Sequence, residues 1–169
     1  TAITLAAGMA RQGMRALLVD LDPQGHVAIS LGLSKAPGLY NLVCLNQPLK
    51  KVVVPARPNL DILPGDKTTE KVKRQITLSD FRESILAESF RKSGYDCVVI
   101  DLAPSLDVLH INGLVASDWV VIPTRPDALA VDGVREILVT MAEVTRRGFP
   151  FEGYCILPTF FDRTTRETL

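Results

Sequence analysis

An apolar run at residues 16–19 leads into Asp20, Leu21 and Asp22 and is stopped by Pro23. A short continuous apolar stretch bounded by turn residues predicts a strand buried on both faces. Alternation along that strand puts Asp20 and Asp22 on one side, with Leu21 opposite. Two carboxylates at the exit of a buried strand are costly unless they meet a cation, a donor or water. In open parallel sheets that exit is also where ligands bind. The pattern therefore points to a ligand or metal site at Asp20 and Asp22, with a polar turn capping the next helix as the alternative.

The rest of the chain alternates between the two periodicities. Ile3, Ala6, Ala7 and Ala10 recur at helical spacing within residues 1–12, and Gly13 is a fitting stop. Residues 15–20 are the strand just described. Short helices are predicted at 25–31 and 39–45, with loops at Gly32 and at Pro37-Gly38. Short strands are predicted at 52–54 and 60–63, around Pro55 and Pro58. Residues 66–75 form the most charged stretch, with Lys67, Glu70, Lys71, Lys73 and Arg74, and read as a solvated helix face, with a partner or nucleic-acid contact as the alternative. A helix from Ser79 to about Lys92 follows, burying Ile85, Leu86 and Phe90 and ended by Gly94. Residues 97–100 form a second strongly apolar strand ending at Asp101, and 108–116 are helical. A third buried strand at 119–122, a long helix at 128–147 stopped by Gly148 and a last strand at 152–157 complete the pattern. Strands and crossover-length helices in alternation predict an α/β fold with a doubly wound, mostly parallel sheet and helices on both faces.

With 169 residues, the chain is long enough for one domain with a real core. Its 19 basic and 19 acidic residues give zero formal net charge, so charge alone makes no case for nucleic acid or an anionic membrane. No apolar run approaches the ~18–20 residues that span a bilayer, and nothing resembles a signal peptide. Cys44, Cys97 and Cys155 are odd in number, far apart and set among apolar neighbours. They read as reduced core thiols, which suits a cytoplasmic protein.

The first thirteen residues, Thr-Ala-Ile-Thr-Leu-Ala-Ala-Gly-Met-Ala-Arg-Gln-Gly, and then Leu-Leu-Val-Asp-Leu-Asp-Pro-Gln-Gly resemble the ParA/Soj branch of the MinD-like deviant Walker ATPases. The resemblance returns at residues 95–105, 112–123 and 157–164, so it covers nearly the whole chain. It implies a P-loop ATPase domain using ATP and Mg²⁺. In that family a strand and a Gly-rich loop carrying two lysines come immediately before the residues matching Thr1, and no such loop occurs here. The expectation is an internal piece of a longer protein, with the first strand and phosphate loop outside it and the C-terminus cut as well. The first helix would then aim its N-terminus, at Thr1, toward the phosphates.

By the same resemblance, Tyr-Asp-Cys-Val-Val-Ile-Asp-Leu-Ala-Pro-Ser at 95–105 matches the Walker B segment, with Asp101 holding Mg²⁺ or its water. Asp22 matches the catalytic aspartate that orients the attacking water, and Asp20 its companion around the metal. Pro23 and Gln24 belong to the loop that moves with the γ-phosphate. Pro104 keeps the turn after Asp101, although Ala103 stands where the family usually has proline. His26 and Val27 stand where Asn and small residues are common, and His26 is given no catalytic role. Thr159 and Asp162 lie in a loop that surrounds the base and sugar in relatives, where Pro158 departs from the usual residue. Asn112 matches the family, with capping or helix packing as its simplest role.

The resemblance further implies an ATP-bound homodimer, non-specific DNA binding and a ParB-like stimulator, serving partition of a plasmid or chromosome in the cytoplasm or on the nucleoid. The alternative is a positioning or regulatory switch of the MinD kind, acting at a membrane or on a protein assembly. The Pro-Gln-Gly after Asp22 favours the ParA reading. Electron transfer of the nitrogenase iron-protein kind is rejected, because Cys97 and Cys155 fall inside strands where cluster ligands need loops.

Overall fold

The computed structural model describes residues 1–80 and 82–160. They form two compact units, Thr1–Ala116 and a second beginning at Ser117.

The first unit is built on a four-stranded sheet in the order β2-β3-β1-β4. Its strands are β1 (Ala16–Asp20), β2 (Val54–Arg57), β3 (Leu60–Leu63) and β4 (Cys97–Asp101). The apolar runs of β1, β3 and β4 pair in parallel, and Asp20 stands in register with Asp101. β1 is buried along its whole length, as an unbroken apolar run in a parallel sheet should be.

Alternation divides the strand residues between two helical layers. Leu17 and Val19 of β1, with Val98 and Ile100 of β4, face a cluster that includes Leu39, Val72, Ile76, Leu86, Phe90 and Leu109. These come from α3 (Gly38–Val43), α5 (Thr69–Thr77), α6 (Ile85–Phe90) and α7 (Val108–Val115). Ala16 and Leu18 face the other way, onto Ala6 and Ala10 of α1 (Ala2–Arg11) and Val27 and Ala28 of α2 (His26–Ser30). Each large apolar side chain so buried contributes ~1.5–3 kcal/mol. Helices thus cover both faces of a mostly parallel sheet, as the alternation predicts.

Three expectations are corrected. The strand expected at 52–54 is displaced: Val52 ends the short helix α4 (Leu49–Val52), and β2 runs instead through Pro55. β2 is antiparallel to β3 and lies at the edge of the sheet, where a residue without an N–H is tolerated; its register shifts between Pro55 and Arg57. The helix expected from Ser79 begins only at Ile85, after a run of turns. The backbone N–H of Leu86 there is capped by the buried Asn112 side chain at 3.3 Å, which also donates to Arg82 O and Val108 O. Asn112 is therefore a packing and capping residue.

The second unit pairs β5 (Trp119–Thr124) with β6 (Gly153–Pro158) in parallel, joined through α8 (Ala128–Arg146). Among the described residues, Ile122, Met141 and Val144 are its buried apolar side chains. The third correction falls here, since β5 is largely exposed and Trp119 is 61% accessible. The Trp119 ring lies over Gly153, where a side chain would meet it at 2.5 Å, and its Nε1 donates to Glu152 at 3.0 Å. On that same strand face Cys155 is exposed, while Cys44 and Cys97 are half-buried, so none is a fully buried core thiol. No described helix is long and apolar enough to cross a membrane.

Candidate functional site

The parallel strands β1 and β4 end side by side on a pair of carboxylates. Asp20 is fully buried, and both its oxygens are engaged. Oδ1 accepts from Asp22 N at 3.0 Å and Oδ2 from Val27 N at 3.2 Å. Asp20 thereby ties the loop at 22–25 and the first turn of α2 back to the strand, which is the capping alternative to a ligand role. Its pKa is pushed up to about 6, chiefly by burial, against the pull of the two backbone N–H groups; Asp101 and Asp22 add to the rise.

Asp22 begins a tight turn. Its Oδ1 accepts from Gln24 N at 2.8 Å and its carbonyl accepts from Gly25 N at 3.0 Å. Pro23 is half-buried in this turn and Gln24 is exposed. Gly25 sits in the left-handed region at φ 60°, leaving the turn so that α2 can start. The Lys35 ammonium donates to Gln24 O from the loop after α2.

A further residue shapes this loop from below. Gly65 follows β3, and a Cβ there would lie 2.6 Å from Asp20 O and 3.0 Å from Asp22 O. Only a glycine lets the turn after β3 pack against the two carbonyls. Sequence reasoning did not single out Gly65; its signal is the Pro64-Gly65 pair directly after β3.

Asp101 is half-buried, and burial raises its pKa. The neighbouring Asp22 carboxylate raises it further. Thr1 precedes α1 and makes no side-chain cap. Pro104, three residues past Asp101, is exposed. Thus Asp20, Asp22, Pro23 and Gln24 gather at the rim where β1 ends, in line with Asp101 at the end of β4, while Pro104 follows Asp101 on the next loop and Thr1 stands before α1.

The remaining predicted positions belong to the second unit. Thr159 donates its N–H at 2.7 Å and its hydroxyl at 3.0 Å to Thr124 O, joining the ends of β5 and β6. Asp162 lies outside the described residues. His26 is exposed at the start of α2, in keeping with its having no assigned chemistry.

Chemically, the rim offers hard carboxylate oxygens at a strand exit, beside the positive end of a helix. A family model described as an AAA domain matches residues 1–150. The chain is 40% identical over 144 residues to the chromosome-partitioning ATPase Soj of Thermus thermophilus, covering 85% of this chain and 56% of that protein. It is 31% identical over 172 residues to the chromosome partitioning protein ParA of Caulobacter vibrioides, covering 96% and 64%. The chain therefore spans less than two thirds of the length of these relatives. Among solved structures, it superposes with a TM-score of 0.86 and 30% identity on cobyrinic acid a,c-diamide synthase from Mycobacterium smegmatis with bound ATP analog and magnesium, covering 99% of this chain and 72% of that one. A plasmid partition protein from Borrelia burgdorferi shares the fold at a TM-score of 0.84 and 24% identity, covering 99% and 74%. The chain belongs to the AAA-domain family and, within it, to the ParA/Soj-type partition ATPases.

Proposed function

We propose that the protein carrying this chain is a Mg²⁺-dependent ATPase of the ParA type, an ATP-driven dimer switch that moves DNA cargo with a ParB-like partner. The observation that carries this reading is the register of Asp20 with Asp101 at the ends of β1 and β4, with Asp22 in the turn that Asp20 holds just beyond. Relatives named as partitioning ATPases, and a fold neighbour holding an ATP analog with magnesium, support it.

The carboxylates fit a hard cation. Asp101 carries a burial-raised pKa, a penalty that a cation beside it would relieve. Among the described residues, no three His, Cys, Asp or Glu side chains are grouped to hold a metal by themselves. Mg²⁺ is commonly bound through one or two carboxylates plus phosphates and waters, and Asp101 is a carboxylate of that kind. Bound Mg²⁺·ATP would supply the phosphoanhydride and neutralise its charge.

In this reading Asp101 holds the metal or its water. Asp20, with both oxygens on backbone donors, adds negative charge around the metal and fixes the loop. Asp22 spends Oδ1 on its own turn and has Oδ2 to orient the attacking water. Pro23 and Gln24 form the loop that follows the terminal phosphate, while Thr1 and Pro104 flank the phosphates. The ATP-bound homodimer, the DNA contact and a cytoplasmic, nucleoid-associated location complete the proposal. In the full-length protein, Asp101→Ala should weaken Mg²⁺-dependent ATP binding on the order of tenfold or more, because a metal carboxylate is lost. Calorimetry with and without Mg²⁺ checks this, and equal affinity in mutant and parent would refute the assignment.

A further inference from the structure

The segment between Asp101 and α7 is fixed from outside, by a side chain of α5. Leu102 at its start packs into α7, where a Cβ on Gly113 would lie 2.4 Å from Leu102 Cδ2. Its far end is held by Asp107, a carboxylate that accepts four bonds. Oδ1 takes the N–H groups of Leu109 at 2.9 Å and His110 at 3.2 Å, capping α7. Oδ2 takes the Ser105 hydroxyl at 2.9 Å and the Lys73 ammonium at 2.8 Å.

Three of these donors belong to the same loop and helix. Lys73 is the fourth, and it comes from a separate element. Glu70, one turn earlier on α5, holds the other side of its ammonium at 3.1 Å. The Lys73 side chain is mostly buried, and Asp107 is nearly so, so solvent screens this pair less than an ordinary surface pair.

We propose that Lys73 is a positioning residue for the metal site, setting through Asp107 and Ser105 the path of the loop that leaves Asp101. This rests on the ATPase reading above. The loop runs from the metal carboxylate past Pro104 to Ser105, so a shift at its anchored end is felt at both Asp101 and Pro104. The same link makes α5 a handle: whatever moves α5 moves the loop.

The test compares the full-length parent with Lys73→Met, Lys73→Arg, Asp107→Asn and the Lys73→Met/Asp107→Asn double variant. Lys73→Met keeps the aliphatic stem. Asp107→Asn keeps an oxygen for the helix cap. ATP affinity is measured by calorimetry with Mg²⁺ and with EDTA, alongside unfolding midpoints. Lys73→Met should weaken Mg²⁺-dependent ATP binding about fivefold while leaving the EDTA value unchanged, and Lys73→Arg should restore it. Asp107→Asn should do the same as Lys73→Met, and the double variant no more than either, because both remove one interaction. A lowered unfolding midpoint with parental Mg²⁺-dependent affinity would overturn the proposal, as would additive losses in the double variant. A parent that binds no Mg²⁺·ATP would overturn the ATPase reading itself, a result distinct from either.

Discussion

At the scale of single residues, the rim is governed by how few options each group has. Asp20 is buried with both oxygens occupied by backbone N–H groups, so it serves the loop whatever else it does. Gly65 is constrained by space, since a methyl group there meets two carbonyl oxygens that cannot swing aside. Gly65→Ala should therefore push the turn after β3 away from the Asp20–Asp22 backbone. The expected cost is about 2 kcal/mol, in the range for overpacking against fixed neighbours. Chemical denaturation of the variant and parent measures it, and an unchanged midpoint would show that the turn yields freely. Neither constraint is written in the local pattern. The sequence shows an Asp-Leu-Asp exit and a Pro-Gly turn, while their mutual contact joins residues about 40 positions apart and depends on the parallel pairing of β1 with β3.

At the scale of elements, strongly patterned segments are legible and context-dependent ones are not. β1 and β4 are unbroken apolar runs, and their pattern suffices. The Val52-Val53-Val54 run has strong strand character, yet its first residue ends α4, because the edge position of β2 is set by pairing with β3. The exposure of Trp119 and Cys155 likewise depends on which sheet face receives a helix, which no local periodicity encodes. The Lys73–Asp107 link is a tertiary contact, whereas the local pattern reads Lys73 only as part of a solvated helix face. α7 carries a further consequence. His110 is buried, and neither ring nitrogen makes a well-formed hydrogen bond, although the Ala103 carbonyl lies near enough to favour the charged ring. Burial lowers its pKa, opposed by the Ala103 carbonyl and by the Asp107 carboxylate, which is itself paired with Lys73. The folded state thus binds fewer protons here than the unfolded chain, whose histidine titrates near 6.5. The contribution to stability is fully present above that pH and is lost as pH falls through the lower folded value. His110→Leu should raise stability at pH 7 by about 1 kcal/mol and reduce the loss between pH 7 and pH 5, as denaturation across that range would record. An unaltered acid slope would mean that His110 is not the group that titrates.

At the scale of the whole molecule, the alternation of strands and helices was enough to reach the α/β class, and the ordered motifs enough to reach the family. The organisation into two units was not legible, because the segment around residue 116 carries no linker-like composition. The family assignment places this chain among proteins of greater length, so the proposed activity belongs to the complete protein. In that proposed activity the rim at the ends of β1 and β4 hydrolyses ATP, with Asp22 acting on the attacking water. Such a role is exercised in the transition state, so losing it should reduce turnover far more than affinity. The direct measurement is Mg²⁺-dependent ATP turnover and ATP affinity of full-length Asp22→Ala beside the parent, with the dimer fraction read on the same samples. Turnover should fall on the order of a hundredfold or more, with near-parental affinity and accumulation of the ATP-bound dimer. An Asp22→Ala protein that folds and hydrolyses ATP at the parental rate would contradict that role, leaving Asp22 as the turn residue that its bond to Gln24 alone would make it.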